Sequence, residues 1–133
     1  MISKTVDALP IFIEDRNCMN FPDASVTIAV PGPGNVVVTS SVRVQIFHVS
    51  PIDPDIVQFF LGTSELDCSR WSEWAIPRTA ADGIYKISLF VQEVFPIAAS
   101  GTFTFFLNGA SPSRSLQPAL LEQANMVAVF YPA

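Results

Sequence analysis

The chain has 133 residues, of which 12 are acidic and 7 basic, so its formal net charge is −5. Charged residues make up 14% of it, against roughly 25% in an average soluble domain. The acidic balance argues against a nucleic-acid partner, because phosphate neutralisation needs clustered Lys and Arg. No stretch approaches the roughly 18 consecutive apolar residues of a transmembrane helix, and the length suits a single domain over residues 1–133.

Short segments rich in Val, Ile, Phe and Thr, separated by Pro and Gly, run through the chain. This pattern predicts β-strands. Turn-forming residues lie between the segments, as in VPGPGN at 30–35. The eight predicted strands are Leu9–Glu14, Ser25–Val30, Asn35–Val49, Asp55–Leu61, Gly83–Val91, Glu93–Ala98, Gly101–Asn108 and Met126–Tyr131.

One short segment, Leu116–Gln123, has a helical pattern, with Pro118 in a suitable first-turn position. Residues 1–24 are a candidate extended N-terminal segment. Eight short strands in a chain of this length predict an all-β domain, an antiparallel two-sheet jelly-roll sandwich.

The long strand at 35–49 alternates in character with a period of two residues. Arg43, Gln45, Phe47 and Val49 share one face, which we expect to lie outside. The other face, expected to be buried, consists of Val38, Ser40, Val42, Val44, Ile46 and His48.

The last predicted strand is apolar on both faces, and the strand at 101–108 is similar. From Phe95 to Ala133 the only charged side chains are Arg114 and Glu122. Exposed outer faces would form a large apolar patch, so we expect a neighbouring subunit to cover them in a homo-oligomer. The alternative is that both strands lie inside a sheet under covering loops. The residues expected in the interface or core are Phe103, Phe105, Phe106, Val127, Val129, Phe130 and Tyr131.

Three stretches carry a family resemblance: VPGPGNVVVTSSVRVQIFH at 30–48, SGTFTFFLNG at 100–109 and MVAVFYPA at 126–133. Their order resembles the tumour-necrosis-factor-like and complement-head-like jelly rolls, including small bacterial proteins of that type. The resemblance implies a trimer that binds a partner on its outer or apical surface, without catalysis. There is no collagen-like stalk in this sequence. The matching positions are Gly101, Phe103, Phe105, Phe130 and Tyr131.

Cys18 and Cys68 lie 50 positions apart, with no CxxC spacing and no His nearby, which argues against a zinc site. They form either one disulfide or two buried thiols, and the sequence leaves both open. Charges at Lys4 and Asp7 interrupt the first apolar stretch, so the opening residues do not match a signal peptide. The compartment stays open, with an extracellular or surface location slightly favoured over the cytoplasm.

His48 is the one histidine, and Ser50, Asp53 and Asp55 follow it closely. These residue types occur in catalytic triads, but here they share one Pro-containing turn, and no GxSxG motif is present. We therefore expect a structural histidine bonded to a carbonyl or carboxylate of the turn, and no enzymatic activity.

Two pairs of acidic residues offer candidate Ca²⁺ ligands: Asp53 and Asp55, and Glu65 and Asp67 in the next loop. Their spacing matches no EF-hand loop, so capping of turns is the expected role, with calcium as the alternative. No other cofactor is expected.

The segment Trp71-Ser72-Glu73-Trp74 lies between Arg70 and Arg78 in a stretch that resembles a loop. Exposed Trp side chains stack on sugar faces or anchor protein contacts, whereas buried ones close the end of a sandwich. The sequence favours the second role, in which the Trp side chains are buried and close the end of the sandwich. If a ligand surface exists, Arg70, Trp71, Trp74 and Arg78 are its predicted residues.

The sequence therefore predicts a non-enzymatic homo-oligomeric module, expected to be trimeric, that serves assembly or surface recognition. One alternative is a carbohydrate-binding, lectin-like module that uses the Trp and acidic loops to hold a glycan, with a protein as the other possible ligand. Another is a viral or phage-type structural jelly-roll subunit.

Overall fold

The computed structural model describes residues 1–6, 10–14, 17–49, 54–69, 71–112 and 119–133, and every regular element among them is a strand. The all-β prediction is confirmed. The strands are β1 (Ile2–Val6), β2 (Ile11–Ile13), β3 (Met19–Val30), β4 (Gly34–His48), β5 (Asp55–Gly62), β6 (Trp71–Ile76), β7 (Gly83–Ile97), β8 (Gly101–Ala110) and β9 (Ala119–Pro132).

These strands form two antiparallel sheets. Sheet A has the order β1-β9-β4-β7, and β2 also pairs with β9, while sheet B has the order β3-β8-β5-β6. From β3 onward the chain crosses between the sheets at every connection except the one from β5 to β6. This interleaving of two Greek keys is the arrangement of a jelly roll, so the predicted fold class is confirmed.

The core lies between the two sheets, and the predicted inner face of β4 faces it. All six residues of that face are buried, and the alternating residue Arg43 is exposed. Two polar residues lie among the six. Ser40 has no hydrogen-bond partner for its Oγ among the described residues, and His48 bonds to Asp55.

The two strands that are apolar on both faces, β8 and β9, are interior strands. β8 lies between β3 and β5, and β9 lies between β4 and the edge formed by β1 and β2. This position agrees with the alternative to an oligomer interface, in which both strands lie inside a sheet. Of the residues assigned to interface or core, Phe105 is buried, Phe103, Phe106, Val127, Val129 and Phe130 are half-buried, and Tyr131 is 55% exposed.

The helix predicted at Leu116–Gln123 is wrong over its described part. β9 begins at Ala119 and pairs with β2 on one side and β4 on the other, which holds its backbone extended. Residues 113–118 lie outside the described residues. Tertiary hydrogen bonding here overrides the local helical pattern, which was short and had no strong cap.

Three further strand features were not predicted. β1 and β6 are additional strands, and the segments expected as two strands at 83–91 and 93–98 form one strand, β7. β7 stays continuous through Glu93 because β4 pairs with it along its whole length. Residues 1–24, the candidate extended segment, contribute β1, β2 and the start of β3.

The segment at 63–69 follows β5 and is tied to the N-terminal part of the chain. Cys68 in this segment forms a disulfide with Cys18, with their Cα atoms 6.1 Å apart. The sequence left open whether these cysteines form a disulfide or stay two thiols, and the structure shows the disulfide.

Asn108 on β8 fixes the same segment. Its side chain is fully buried, and its Nδ2 donates to the carbonyl oxygens of Ser64, at 3.1 Å, and Asp67, at 2.9 Å. Its Oδ1 accepts a bond from Asn20 of β3 at 3.0 Å. A buried side chain that satisfies two loop carbonyls holds the segment against the outer face of sheet B.

We expect the double variant Cys18→Ser/Cys68→Ser to lose about 4 kcal/mol of unfolding free energy, because the bond closes a loop of 50 residues in the unfolded chain. Urea denaturation followed by tryptophan fluorescence measures this loss. Dithiothreitol should destabilise the wild type by a similar amount and leave the double variant unchanged. An equal response of both proteins to reductant would contradict the prediction.

Candidate functional site

Of the four predicted ligand-surface residues, the structure describes the side chains of Trp74 and Arg78, which differ in exposure. Trp74 packs half-buried against the core, with its ring centroid 6.1 Å from that of Phe59. Arg78 is exposed in the turn that follows β6. Trp71 begins β6, but its side chain and the whole of Arg70 lie outside the described residues. The ring of Trp74 thus faces the core.

The predicted acidic ligands are also separated. Asp55 begins β5, whereas Glu65 and Asp67 follow Gly62 at its other end. β5 is an extended strand of 8 residues that rises roughly 3.3 Å per residue, so it holds these carboxylates apart. Asp53 lies outside the described residues. No group of three or more His, Cys, Asp or Glu side chains suited to a metal ion occurs in the described part of the chain.

The Asp67 carboxylate caps its own loop. Oδ1 accepts bonds from the backbone N–H and the hydroxyl of Ser69, at 3.2 and 2.6 Å, and Oδ2 accepts a bond from the N–H of Thr63 at 3.4 Å. Gly62 has to be glycine here, because a Cβ would lie 2.6 Å from the Cβ of Asp67. For Asp67 this is a turn-capping arrangement, the role that the sequence favoured over calcium binding.

His48 and Asp55 form a buried pair where β4 ends and β5 begins. Nδ1 of His48 lies 2.6 Å from Oδ2 of Asp55, with side-chain exposures of 0% and 5%. The rings of His48 and Tyr85 are nearly perpendicular, with their centroids 6.1 Å apart, and the hydroxyl of Tyr85 donates to the carbonyl of Ala81. Nε2 of His48 is buried without a partner among the described residues, so a substrate has no access to it.

A different polar cluster lies on the outer face of sheet A, in the middle of β9, β4 and β7. Antiparallel register places Ser88, Arg43 and Gln123 side by side in one cross-strand row. The adjacent row contains Ser41 and Asn125. Neighbours within a row are about 5 Å apart and diagonal neighbours about 7–8 Å, so the five side chains can contact one small molecule. We call Ser41, Arg43, Ser88, Gln123 and Asn125 the Arg43 cluster.

The polar side-chain atoms of the Arg43 cluster are available to a ligand. None of its five side chains makes a hydrogen bond or ion pair with a described residue. Other cross-strand polar pairs on the sandwich do bond to each other, namely Thr39 with Gln92, Thr27 with Thr104, and Gln58 with Glu73. The cluster surrounds a cavity of about 160 Å³, whose sixth lining residue is Val42.

An exposed aromatic ring borders the cluster. Phe90 on β7 is opposite Ser41 in the same cross-strand row as Asn125, and it is 71% exposed. The outer face of sheet A therefore presents a guanidinium, two amides, two hydroxyls and a ring within two rows of residues. An aromatic ring beside converging polar groups is typical of a small-molecule binding site.

The sequence placed Arg43 on the outer face of its strand but did not predict this cluster. Its members come from three segments, 41–43, 88 and 123–125, and one of these lies partly inside the segment expected to be helical. The available signal was the alternation in β4 and β7, which turns Ser41, Arg43 and Ser88 outward. The register that aligns these strands is not visible in the sequence.

The comparisons with known proteins identify no family. No family model matches the chain, and no curated protein does. One similar solved structure is the C-terminal CBM6 of LamC, a marine laminarinase from Zobellia galactanivorans. It shares 17% identity over 93% of this chain and 90% of that chain, with a TM-score of 0.34. A structural similarity with so low a TM-score and identity supports no conclusion about function. The tumour-necrosis-factor-like and complement-head-like resemblance is supported only as far as the jelly-roll fold.

No helix of sufficient length and apolar character to cross a bilayer occurs among the residues that the structure describes.

Replacing Asp55 by Ala should cost about 3 kcal/mol of unfolding free energy, because both nitrogens of the buried His48 ring would then lack a partner. Chemical denaturation of the two single variants, His48→Leu and Asp55→Ala, and of the double variant measures the coupling between the two side chains. The double variant should be less destabilised than the sum of the single ones. Strict additivity would show that the pair does not act as a unit.

Proposed function

We propose that this domain is a saccharide-binding module and that the Arg43 cluster, with the ring of Phe90, is its binding site. The observation that carries the proposal is a set of five polar side chains, none bonded to a described residue, beside an exposed aromatic ring. Each is held on a strand of sheet A, so the site is rigid before a ligand arrives.

The chemistry of a sugar ring matches this arrangement. Its hydroxyl groups both donate and accept hydrogen bonds, and the amides of Gln123 and Asn125 offer both functions. Its C–H face is apolar and packs on an aromatic ring, the part that Phe90 would supply. The cavity of about 160 Å³ is smaller than the roughly 300–1,000 Å³ of sites that enclose drug-sized ligands, so it suits one sugar ring of a longer chain.

The arrangement supports binding without catalysis. Activation of a serine needs a base within hydrogen-bond reach, and neither Ser41 nor Ser88 has such a partner among the described residues. His48 is buried and bonded to Asp55 on the inner side of the strand.

An extracellular or surface location fits the proposal. Disulfides persist in oxidising compartments and are rare in the reducing cytosol, and Cys18 is bonded to Cys68.

Self-association is a second candidate function, and a separate observation favours it. Several of the large apolar side chains that are exposed on the described residues lie on the outer face of sheet A, around the Arg43 cluster. They are Phe12, Ile84, Phe90, Val94 and Tyr131. A group of apolar residues concentrated on one face is a common feature of subunit contacts, and a trimer would cover it with a neighbouring copy.

Binding of a saccharide should depend on the ring of Phe90. A glycan array identifies the ligand, and calorimetry then compares the wild type with Phe90→Ala, for which we expect roughly tenfold weaker binding from lost ring packing. Leu66→Ala is the matched control, because Leu66 is equally exposed, at 71%, in the segment over sheet B. A blank array with folded protein, or an equal effect of both substitutions, would contradict the proposal.

The self-association candidate predicts a solution mass near three times the 14.5 kDa of the chain, measured by light scattering after size-exclusion chromatography. In that case Ile84→Asp should return the protein to a monomer, because it buries a charge in the contact, and Leu66→Asp should not. A wild-type monomer removes this candidate, and particles much larger than a trimer favour a shell or fibre subunit.

A further inference from the structure

We propose that the saccharide bound by the Arg43 cluster is acidic, and that its carboxylate or sulfate group binds the Arg43 guanidinium. The inference rests on the proposed function and narrows it to one class of ligand. It follows from the distribution of charge on sheet A and from the chemistry of the five cluster side chains.

The outer face of sheet A is basic on a chain whose net charge is −5. Its outward-facing strand positions carry Arg43 and Lys86, one row apart, and no acidic residue occurs at the described outward positions of this sheet. The acidic residue nearest along β9 is Glu122, in the bulge beside Gln123. It is half-buried and forms no ion pair with Arg43.

Arg43 is therefore an exposed cation without a counter-ion among the described residues. Its guanidinium offers five N–H donors in a planar fork, which fits the two oxygens of a carboxylate or sulfate and forms charge-assisted hydrogen bonds. Lys86 adds a second positive charge on the same side and attracts an anion without fixing its orientation.

The remaining members of the cluster are uncharged, so Arg43 is the member of the cluster that would bind an anionic group. The amides and hydroxyls of Gln123, Asn125, Ser41 and Ser88 can bond to the ring hydroxyls that flank an acidic group. The sugar ring would then lie toward Phe90, in the row next to Arg43.

The test compares three soluble oligosaccharides of equal length by calorimetry: a polyuronate, a sulfated chain and a neutral chain. At least one acidic chain should bind ten times or more tightly than the neutral one, and its affinity should fall as salt is raised. Arg43→Gln should weaken acidic binding about 10- to 100-fold and remove the preference, and Lys86→Gln should weaken it less. The comparison of the polyuronate with the sulfated chain identifies whether a carboxylate or a sulfate group is recognised.

Arg78→Gln provides the matched control, since it removes the same charge from the exposed turn between β6 and β7, outside the Arg43 cluster, and should leave binding unchanged. Because Arg43 is exposed, circular dichroism should show that Arg43→Gln folds like the wild type. Equal affinity for neutral and acidic chains, or equal effects of the two Arg substitutions, overturns the inference but leaves saccharide binding in place. Binding of none of the three chains, together with a blank glycan array, overturns both.

Discussion

The two-residue period of β4 is the constraint on which the rest of this domain depends. Successive side chains of a strand point to opposite faces of its sheet, and in β4 the buried set lies against sheet B from Val36 to His48. The same geometry turns Ser41 and Arg43 outward. Because β7 and β9 pair with β4 on its two sides, their own outward residues complete the polar cluster. One strand thus determines both the core and the candidate site.

Sequence reasoning succeeded where a single strand carries the information. The inner face of β4, the all-β class and the jelly roll follow from local alternation and from turn residues, whereas the sequence left open whether His48 bonds to a carbonyl or to a carboxylate. It failed at 119–123, where β4 and β2 impose an extended backbone on a segment with a helical pattern. It also missed the Arg43 cluster, whose members become neighbours only through the register of three strands that are distant in the chain.

The polar groups of the sandwich fall into two kinds. Asn108, Asp67 and the pair of His48 and Asp55 are bonded to the protein and hold loops and strand ends in place. The Arg43 cluster has no such bonds to described residues, although its members lie on three paired strands of sheet A. Buried polar groups are mostly hydrogen-bonded inside a protein, whereas exposed ones can keep their bonding capacity for a ligand. That contrast, more than residue type, distinguishes the structural polar groups from the proposed site.

The disulfide between Cys18 and Cys68 also determines how the domain carries mechanical load. Tension applied at the N-terminus acts first on β1 and β2, which β9 holds at one edge of sheet A. At Cys18 the covalent bond passes the load directly to the loop after β5, so β3 is not drawn out of sheet B. The strand that carries Arg43 lies within the segment enclosed by this bond. The edge strands therefore peel away under force while β4 is protected from extension.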